Sequence, residues 1–279
     1  SSVQIIEEKD PYKIIELAGR TCYKSEDKIT EDSAKEFVDR MIKLGHGAML
    51  EHGTIYLKIR ETVNGNIPPA MLYWRDCANR KYSKVYTQLE SDSPYSANYK
   101  VLYVTTNLRV LVENNRIDDL EYQCEPTEYH EKRITAKFIC DRGVSHEFVR
   151  HRVFSFAQES TRYCNYSKDK FGNELTFIKP SWSYFKPISY KDAGYFDGDV
   201  FESSLKKAES CYFKLIEKGW KPQQARQVLP NAIKTELVMT GFESDWEGFF
   251  KLRCSGAAHP DAQKLANELK DLLTNVKNN

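Results

Sequence analysis

Apolar residues recur along the 279-residue chain at two spacings, which predict two kinds of element. Spacings of three and four residues place apolar side chains on one side of a helix, whereas alternation places them on one face of a strand. The first pattern predicts helices over 12–20, 31–44, 108–115, 200–216, 245–252 and 261–276, and a further helix that begins near Pro222. The second pattern predicts strands over 54–63, 99–105, 132–140, 175–178 and 232–240. The chain is therefore expected to mix helices and strands.

The segment that follows the third predicted strand also has a helical pattern. Val144, Phe148 and His151 recur at spacings of four and three residues. Residues three and four apart are neighbours on a helix surface, so this pattern predicts that Glu147, Arg150 and His151 share one face.

Charged and aromatic residues are concentrated in the next stretch, RHRVFSFAQES, from Arg150 to Ser160. Three guanidinium groups, those of Arg150, Arg152 and Arg162, lie close together in sequence, and no lysine lies between them. Such groups repel one another unless an anion lies among them, and a planar guanidinium binds phosphate through paired hydrogen bonds. The pattern favours an anion site, although surface ion pairs beside a buried aromatic wall would use the same residues.

Composition narrows the class of protein. Hydrophobic residues make up 41% of the chain, and the net charge of +1 provides no overall field that would attract nucleic acid or an anionic membrane. No apolar run approaches the roughly 20 residues that span a bilayer, and no signal peptide is recognisable. The seven cysteines are odd in number and widely spaced. This predicts reduced thiols and a cytoplasmic location, with neither a disulfide framework nor a metal site.

Arg-His-Arg, seven residues and then Ser, here Arg150 to Ser160, resembles the signature of the flavin-dependent thymidylate synthases. The following Thr161, Arg162 and Tyr163 fit the usual continuation. Several positions at a fixed spacing are more specific than a single glycine-rich motif. The resemblance implies a mixed α/β fold, with an antiparallel-rich central sheet flanked by helices, in a single domain over 1–279. The segment at about 65–131 would be an insert.

Two further blocks resemble the same family. G-H-G-x-x-x-E-H, a predicted loop with His46 and Glu51, matches the N-terminal half. Taken alone, His46 would cap the C-terminus of the preceding helix and Glu51 would be a surface charge. In the C-terminal half, A-R-x-V-L-P contains Arg226, and the predicted helix with W-x-x-F-F-x-x-R ends at Arg253.

The resemblance implies an enzyme that methylates dUMP to dTMP, with FAD as cofactor, NADPH as reductant and methylenetetrahydrofolate as carbon donor. The positions matched to dUMP binding are Glu147, Arg150, Gln158, Ser160, Thr161, Arg162, Arg226 and Arg253. The positions matched to FAD binding are His46, Glu51, Arg150, His151, Arg152, Val153, Gln158, Phe242 and Ser244. The resemblance also implies a homotetramer with shared active sites, in which Arg226 comes from a neighbouring subunit. Neither nucleic acid nor a membrane is an expected partner.

Arg253 is the implied catalytic residue. A cation beside N3 and O2 of uracil favours the ionised ring and raises the electron density at C5, where the methyl group is added. Arg162 and Arg226, with Ser160 and Thr161 beside them, are matched to the substrate phosphate. No active-site cysteine is then required, and none lies in the signature.

The sequence departs from the family pattern at several positions. Glu147 and Gln158 stand where several members carry Gln and Glu, and Phe242 and Ser244 replace an Asn and an Arg that contact FAD. Two hydroxyl residues near the adenosine portion are also replaced, by Cys22 and Ala48.

Two other classes of function stay open at this point. Ser160 and His151 could form a nucleophile and its base, although no G-x-S-x-G motif is present. A nucleic-acid binder could use the arginines and aromatic residues, although the balanced net charge argues against it.

Overall fold

The computed structural model describes residues 1–61, 67–77, 80–93, 98–168, 171–182 and 197–278. Within these ranges, two antiparallel sheets are flanked by helices, which confirms the predicted mixed α/β fold class. The single-domain organisation stays a prediction.

The N-terminal segment forms a short strand and three helices. Strand β1 (Ser2–Ile5) precedes α1 (Pro11–Tyr23), which begins where the Asp10 carboxylate accepts a hydrogen bond from the Tyr12 backbone N–H at 2.8 Å. Helix α2 (Ser33–Lys43) buries the predicted apolar stripe. The loop predicted for GHGAMLEHG is wrong at its centre, because α3 (Gly47–Leu50) makes one helical turn there. That turn packs Leu50 into the core, where it is 2% exposed.

The inserted segment completes a three-stranded sheet. Strands β2 (Thr54–Arg60), β3 (Lys84–Glu90) and β4 (Tyr99–Asn107) are antiparallel in the order β2-β4-β3. Helices α4 (Pro69–Arg75) and α5 (Leu108–Glu113) share a hydrophobic core with this sheet. The predictions of β2, β4 and α5 are confirmed. The apolar pattern missed β3, which is an edge strand with mostly exposed or half-buried side chains, and it also missed the short α4.

Four strands form the second sheet, in the order β1-β5-β7-β6. Strands β5 (Arg133–Asp141), β6 (Ser155–Gln158) and β7 (Lys234–Phe242) are antiparallel to their neighbours. Helix α1 covers one face of the sheet, where Ala18 packs near Val238. Both faces of β7 are covered, which accounts for its nearly continuous burial.

Three helices pack against the other face of this sheet. They are α6 (Arg142–Phe148), α9 (Glu243–Arg253) and α10 (Pro260–Asn278). Their shared core includes Phe138 and Trp246, which are 0% and 1% exposed. This core holds the signature segment next to α9, the helix that contains the W-x-x-F-F-x-x-R block.

A smaller core lies beneath α7 (Asp197–Glu217) and α8 (Pro222–Ala225), which continues into a 3₁₀ turn (Arg226–Val228). The strand predicted over 175–178 is wrong, because only the pair Phe177 and Ile233 forms a β-bridge there. Residues 183–196, most of the predicted aromatic loop, lie outside the described residues.

Three general observations complete the description. All seven cysteines have free thiols. No helix in the described ranges has both the length and the apolar character needed to cross a bilayer. The same ranges contain no group of three or more His, Cys, Asp or Glu side chains placed to hold a metal ion.

Candidate active site

The signature segment passes from a helix through a turn into a strand. Helix α6 ends at Phe148, so the prediction that a helix continues through His151 is wrong. The Arg150 and His151 backbone N–H groups donate to Glu147 and Phe148 carbonyl oxygens at 3.3 and 3.1 Å, as in a tight turn. The chain has to reverse here because β6 pairs with β7. Arg150 and Arg152 consequently project from the turn and are exposed.

Arg253, at the last residue of α9, is bound to the signature segment. Its Nη1 donates to the Glu147 carboxylate in a short contact, and its Nη2 donates to the Glu147 backbone oxygen at 2.7 Å. Its Nε donates to His151 Nε2 at 2.9 Å. The structure therefore brings Arg253 together with the predicted residues Glu147 and His151, which lie 106 and 102 residues earlier in the sequence.

His151 is held as a neutral ring. A guanidinium has only donors, so His151 Nε2 must be the acceptor and the ring proton must lie on Nδ1. Burial, together with the charge of Arg253, lowers the pKa of His151 to about 4. The ring also packs against Phe249, with ring centroids 4.9 Å apart.

A second group of cations lines a pocket of about 270 Å³. Arg142 and Arg226 line it together with Thr161, whose Oγ1 accepts a hydrogen bond from Arg226 Nη1 at 3.3 Å. Burial lowers the pKa of Arg142, and the nearby charge of Arg226 lowers it further. Two like charges beside one hydroxyl make this pocket suited to an anion. We call Arg142, Thr161 and Arg226 the anion pocket.

Arg226 lies beside Thr161 of its own chain. The adjacent segment is fixed to the start of α6, because the Arg142 backbone N–H donates to the Asn231 carbonyl oxygen at 2.9 Å. The expectation that Arg226 serves the site of a neighbouring subunit stays a prediction.

The anion pocket and the Arg253 contacts lie at opposite ends of α6. Arg142 and Glu147 are separated by about 7.5 Å along the helix axis and by roughly 140° around it. Their side chains therefore leave the helix in different directions. The pocket lining includes none of Glu147, His151 and Arg253.

Three other positions matched to dUMP lie near these groups without lining the pocket. Arg162 is exposed, with its guanidinium 5.5 Å from the Tyr163 ring centroid. Ser160 donates its backbone N–H to the Cys22 carbonyl oxygen at 2.9 Å. Gln158 Nε2 donates to Ser145 Oγ at 2.8 Å and to Thr235 Oγ1 at 3.2 Å. These last bonds fix Gln158 against the sheet.

The positions matched to FAD are distributed over three segments. Glu51 is buried, and its carboxylate accepts a hydrogen bond from Arg109 of the insert, so it is not the surface charge that the alternative interpretation expects. His46 is exposed, and its backbone N–H donates to the Met41 carbonyl oxygen at 2.9 Å, which caps the C-terminus of α2 as the alternative interpretation expects. Phe242 is buried at the end of β7. Val153 and Ser244 are exposed, and the Ser244 hydroxyl donates to Glu131.

Sequence reasoning missed two charged residues at the site. Arg142 belongs to no recognised motif. Its place in the anion pocket follows only from the structure, in which the start of α6 lies beside Asn231. Glu159, inside the signature, is 3% exposed and accepts hydrogen bonds from Tyr166 Oη at 3.0 Å and Lys234 Nζ at 3.1 Å. Its burial indicates a structural role.

Comparison with known proteins shows which family the chain resembles. A family model described as thymidylate synthase complementing protein matches residues 4–66 and 126–277. The flavin-dependent thymidylate synthase of Sulfurisphaera tokodaii is 33% identical over 135 residues, 48% of this chain and 47% of that protein. The Geobacter sulfurreducens protein of the same name is 33% identical over 135 residues, 48% of this chain and 53% of that protein.

The flavin-dependent thymidylate synthase of Pyrococcus furiosus is 30% identical over 130 residues, 46% of this chain and 48% of that protein. The chain thus spans about half the length of the curated relatives it matches. The family model leaves out residues 67–125, which lie within the predicted insert, and covers the signature and more than half of the chain. The chain belongs to the family of thymidylate synthase complementing proteins.

Proposed function

We propose that this protein methylates dUMP to dTMP in a flavin-dependent reaction. Family membership and the names of the curated relatives support this reaction class. The observation that carries the proposal is the contact of Arg253 with Glu147 and His151, because it fixes one guanidinium on the signature segment.

The anion pocket would bind the phosphate of dUMP. A phosphate monoester carries close to two negative charges near pH 7, and two guanidinium groups neutralise it through charge-assisted hydrogen bonds. Thr161 adds a hydroxyl beside Arg226. Exposed Arg162, with Ser160, would complete the contacts from the pocket edge.

Arg253 would lie against the uracil ring. A guanidinium beside N3 and O2 stabilises negative charge on the ring, so C5 becomes a better nucleophile toward the one-carbon donor. The C5 hydrogen then leaves as a proton, and a hydride completes the methyl group. His151 and Glu147 orient Arg253 for this role through its Nε and Nη atoms. Gln158 and Arg150 are further proposed contacts to the nucleotide.

FAD is the proposed cofactor, and when bound and reduced it supplies the hydride. His46, Glu51, His151, Arg152 and Val153 would contact it. Arg150, Gln158, Phe242 and Ser244 complete the proposed set. The residues present fit an anionic cofactor in one respect: the buried Nε of Arg133, which lies among these segments, has no hydrogen-bond partner in the described chain. NADPH and methylenetetrahydrofolate are the proposed co-substrates.

The cysteine thiols favour the flavin route over a cysteine-dependent one. Burial raises the pKa of Cys22 to about 11 and that of Cys140 to about 12. Burial also raises the pKa of Cys254, next to Arg253. A thiol nucleophile needs a lowered pKa, so these three cysteines are poorly suited to attack a uracil ring.

The state of His151 argues against the alternative that the protein is a hydrolase. A general base for Ser160 would need a free ring nitrogen and a pKa near neutrality, whereas His151 Nε2 accepts from Arg253 and has a pKa of about 4. We retain only the transferase proposal.

Assembly into a homotetramer with shared active sites is part of the proposal. It is supported by the separation of the anion pocket from Arg253 within one chain, because a nucleotide needs both groups on the same side. A second chain would place its own Arg253 opposite the anion pocket of the first.

Release of tritium from C5-labelled dUMP tests the proposed function. We expect release that requires FAD, NADPH and methylenetetrahydrofolate. FAD-independent release, or no release when all three are present, contradicts the proposal.

A further inference from the structure

Arg133 lies between three segments that are matched to flavin binding. Its Nη1 donates to the Glu51 backbone oxygen at 2.9 Å and to Thr54 Oγ1 at 3.3 Å, and its Nη2 donates to Ser155 Oγ at 3.4 Å. The register of β5 and β7 places Arg133 opposite Phe242, with the guanidinium 5.5 Å from the ring centroid. One side chain therefore connects the Glu51 loop, the start of β6 and the end of β7.

No carboxylate among the described residues forms a direct ion pair with Arg133, and the charges of Glu51 and Asp245 act on it from a greater distance. Glu51 is already paired with Arg109, and Asp245 accepts the Phe242 backbone N–H at 3.3 Å. Burial lowers the pKa of Arg133 to about 10, which is opposite to the effect of a directly paired carboxylate. A partly buried guanidinium without a directly paired carboxylate is stabilised when an anion binds to it.

The Nε of Arg133 supplies a second, independent indication. It is buried, and it has no hydrogen-bond partner among the residues that the structure describes. Native proteins rarely leave a buried N–H without an acceptor, so an additional group is expected near it.

Arg133 also lines a cavity of about 700 Å³ between the end of β1, β2 and the start of β5. This volume lies within the usual range for cofactor sites. The lining contains none of the positions matched to FAD, so the cavity is connected to these positions through Arg133. The cavity has charged residues of both signs: Glu7, Glu8, Lys9, Glu125, Lys132, Arg133 and Glu243. The lining as a whole therefore does not select an anion, whereas the unpaired charge of Arg133 does.

The two positions matched to FAD at the end of β7, Phe242 and Ser244, supply no cation, and Ser244 donates to Glu131. We propose that Arg133 binds the phosphate groups of the flavin dinucleotide and provides the positive charge at this end of the sheet. This assignment rests on the proposed flavin-dependent function.

Equilibrium binding of FAD and of riboflavin, followed by flavin fluorescence, tests the assignment. Riboflavin lacks both the phosphates and the adenosine of FAD, so we expect the wild-type protein to bind FAD about 10- to 100-fold more tightly than riboflavin. We expect R133Q to lose most of this ratio while its riboflavin affinity stays within about twofold of wild type. R133K keeps the charge without the fork of donors and should give an intermediate ratio.

Lys84→Gln is the matched control. Lys84 Nζ also lies 5.5 Å from the Phe242 ring centroid, but its side chain is 42% exposed and lies near Glu131. Its FAD-to-riboflavin ratio should match that of wild type. A change in this ratio equal to that in R133Q would assign the effect to Phe242 and overturn the role of Arg133.

These measurements distinguish failure of the proposed function from failure of the Arg133 assignment. If wild type binds no flavin and releases no tritium, the proposed function fails. If wild type binds FAD and a folded R133Q or R133K keeps the full FAD-to-riboflavin ratio, only the assignment of Arg133 fails. Circular dichroism and the melting temperature establish which variant is folded. Equal affinity of wild type for FAD and riboflavin overturns the phosphate contact without reference to any variant.

Discussion

Arg253 is held by Glu147 through two different oxygens, the side-chain carboxylate and the backbone carbonyl. This pair joins the end of α9 to the end of α6. A substitution of Glu147 removes only the carboxylate contact, because the backbone carbonyl is present in every variant. Gln keeps the shape of this side chain without its charge, so the consequence of the charged residue can be tested directly.

Glu147→Gln should lower the free energy of unfolding by about 1 kcal/mol, because the ion pair is partly exposed and screened by solvent. The Arg253 and Glu147 side chains are 17% and 34% exposed. Urea unfolding measures the change. Asp39→Asn, in the more exposed Lys35–Asp39 pair, is the control and should change stability less. A loss above about 3 kcal/mol would show that the pair behaves as a buried one.

Arg253→Ala should reduce tritium release from C5-labelled dUMP by at least about 100-fold, because the ring then has no cation beside it. Bound FAD should remain, as measured by the flavin absorbance of the purified protein. Lys251→Ala, an exposed change on the same helix, should keep the wild-type rate. Survival of turnover in Arg253→Ala would remove the proposed catalytic role.

Arg142→Ala should weaken dUMP binding by about 10- to 100-fold through loss of a charge-assisted phosphate contact. Deoxyuridine has no phosphate, so its affinity should change little. Calorimetry with both ligands measures the difference. Arg75→Ala, an arginine 62% exposed on α4, is the control. Equal losses for the two ligands would rule out a phosphate contact.

His151 should remain neutral well below pH 6, because burial and the charge of Arg253 lower its pKa to about 4. The unfolded chain binds a proton near pH 6.5, so His151 favours the folded state above that pH and loses this contribution as pH falls toward 4. Histidine ¹H–¹⁵N spectra, with His151→Gln to assign the signal, measure the titration and the Nδ1 proton. Titration near 6.5 in the folded protein would contradict the geometry.

Glu236 should make stability depend on pH in acid. Burial opposes its ionisation, but hydrogen bonds from Lys137, Lys234 and Lys24 outweigh burial and lower its pKa from 4.5 to about 2. The folded pKa is below the unfolded one, so the stabilisation is present above about pH 4.5 and is lost as pH falls toward 2. The contribution of Glu236 to the free energy of unfolding at neutral pH is about 3 kcal/mol.

Urea unfolding of wild type and Glu236→Gln between pH 7 and 3 measures this contribution. The difference in stability between the two proteins should shrink as pH falls below 4.5, since the unfolded wild-type chain then binds a proton at Glu236 while the folded protein still holds the carboxylate charged. A difference that stays constant with pH would contradict the assignment to Glu236.

Much of the fold was predictable because burial is periodic within each element. Helix α2 and strand β5 bury the residues that their spacing selects. The edge strand β3 escaped prediction because half-buried and exposed positions impose little pattern. The helix at His151 was predicted too long because pairing of β6 with β7, a long-range constraint, forces a turn after Phe148.

The sequence by itself determined the local elements and the residue types of the site, since both depend on neighbours along the chain. It identified Arg226 and Arg253 through motifs of fixed spacing. Only the tertiary structure decided which charges meet: Arg142 with Arg226, Arg253 with Glu147, and Arg133 with the end of β7. The physical reason is that these contacts follow from the order and register of strands and from helix packing, which local spacing does not specify.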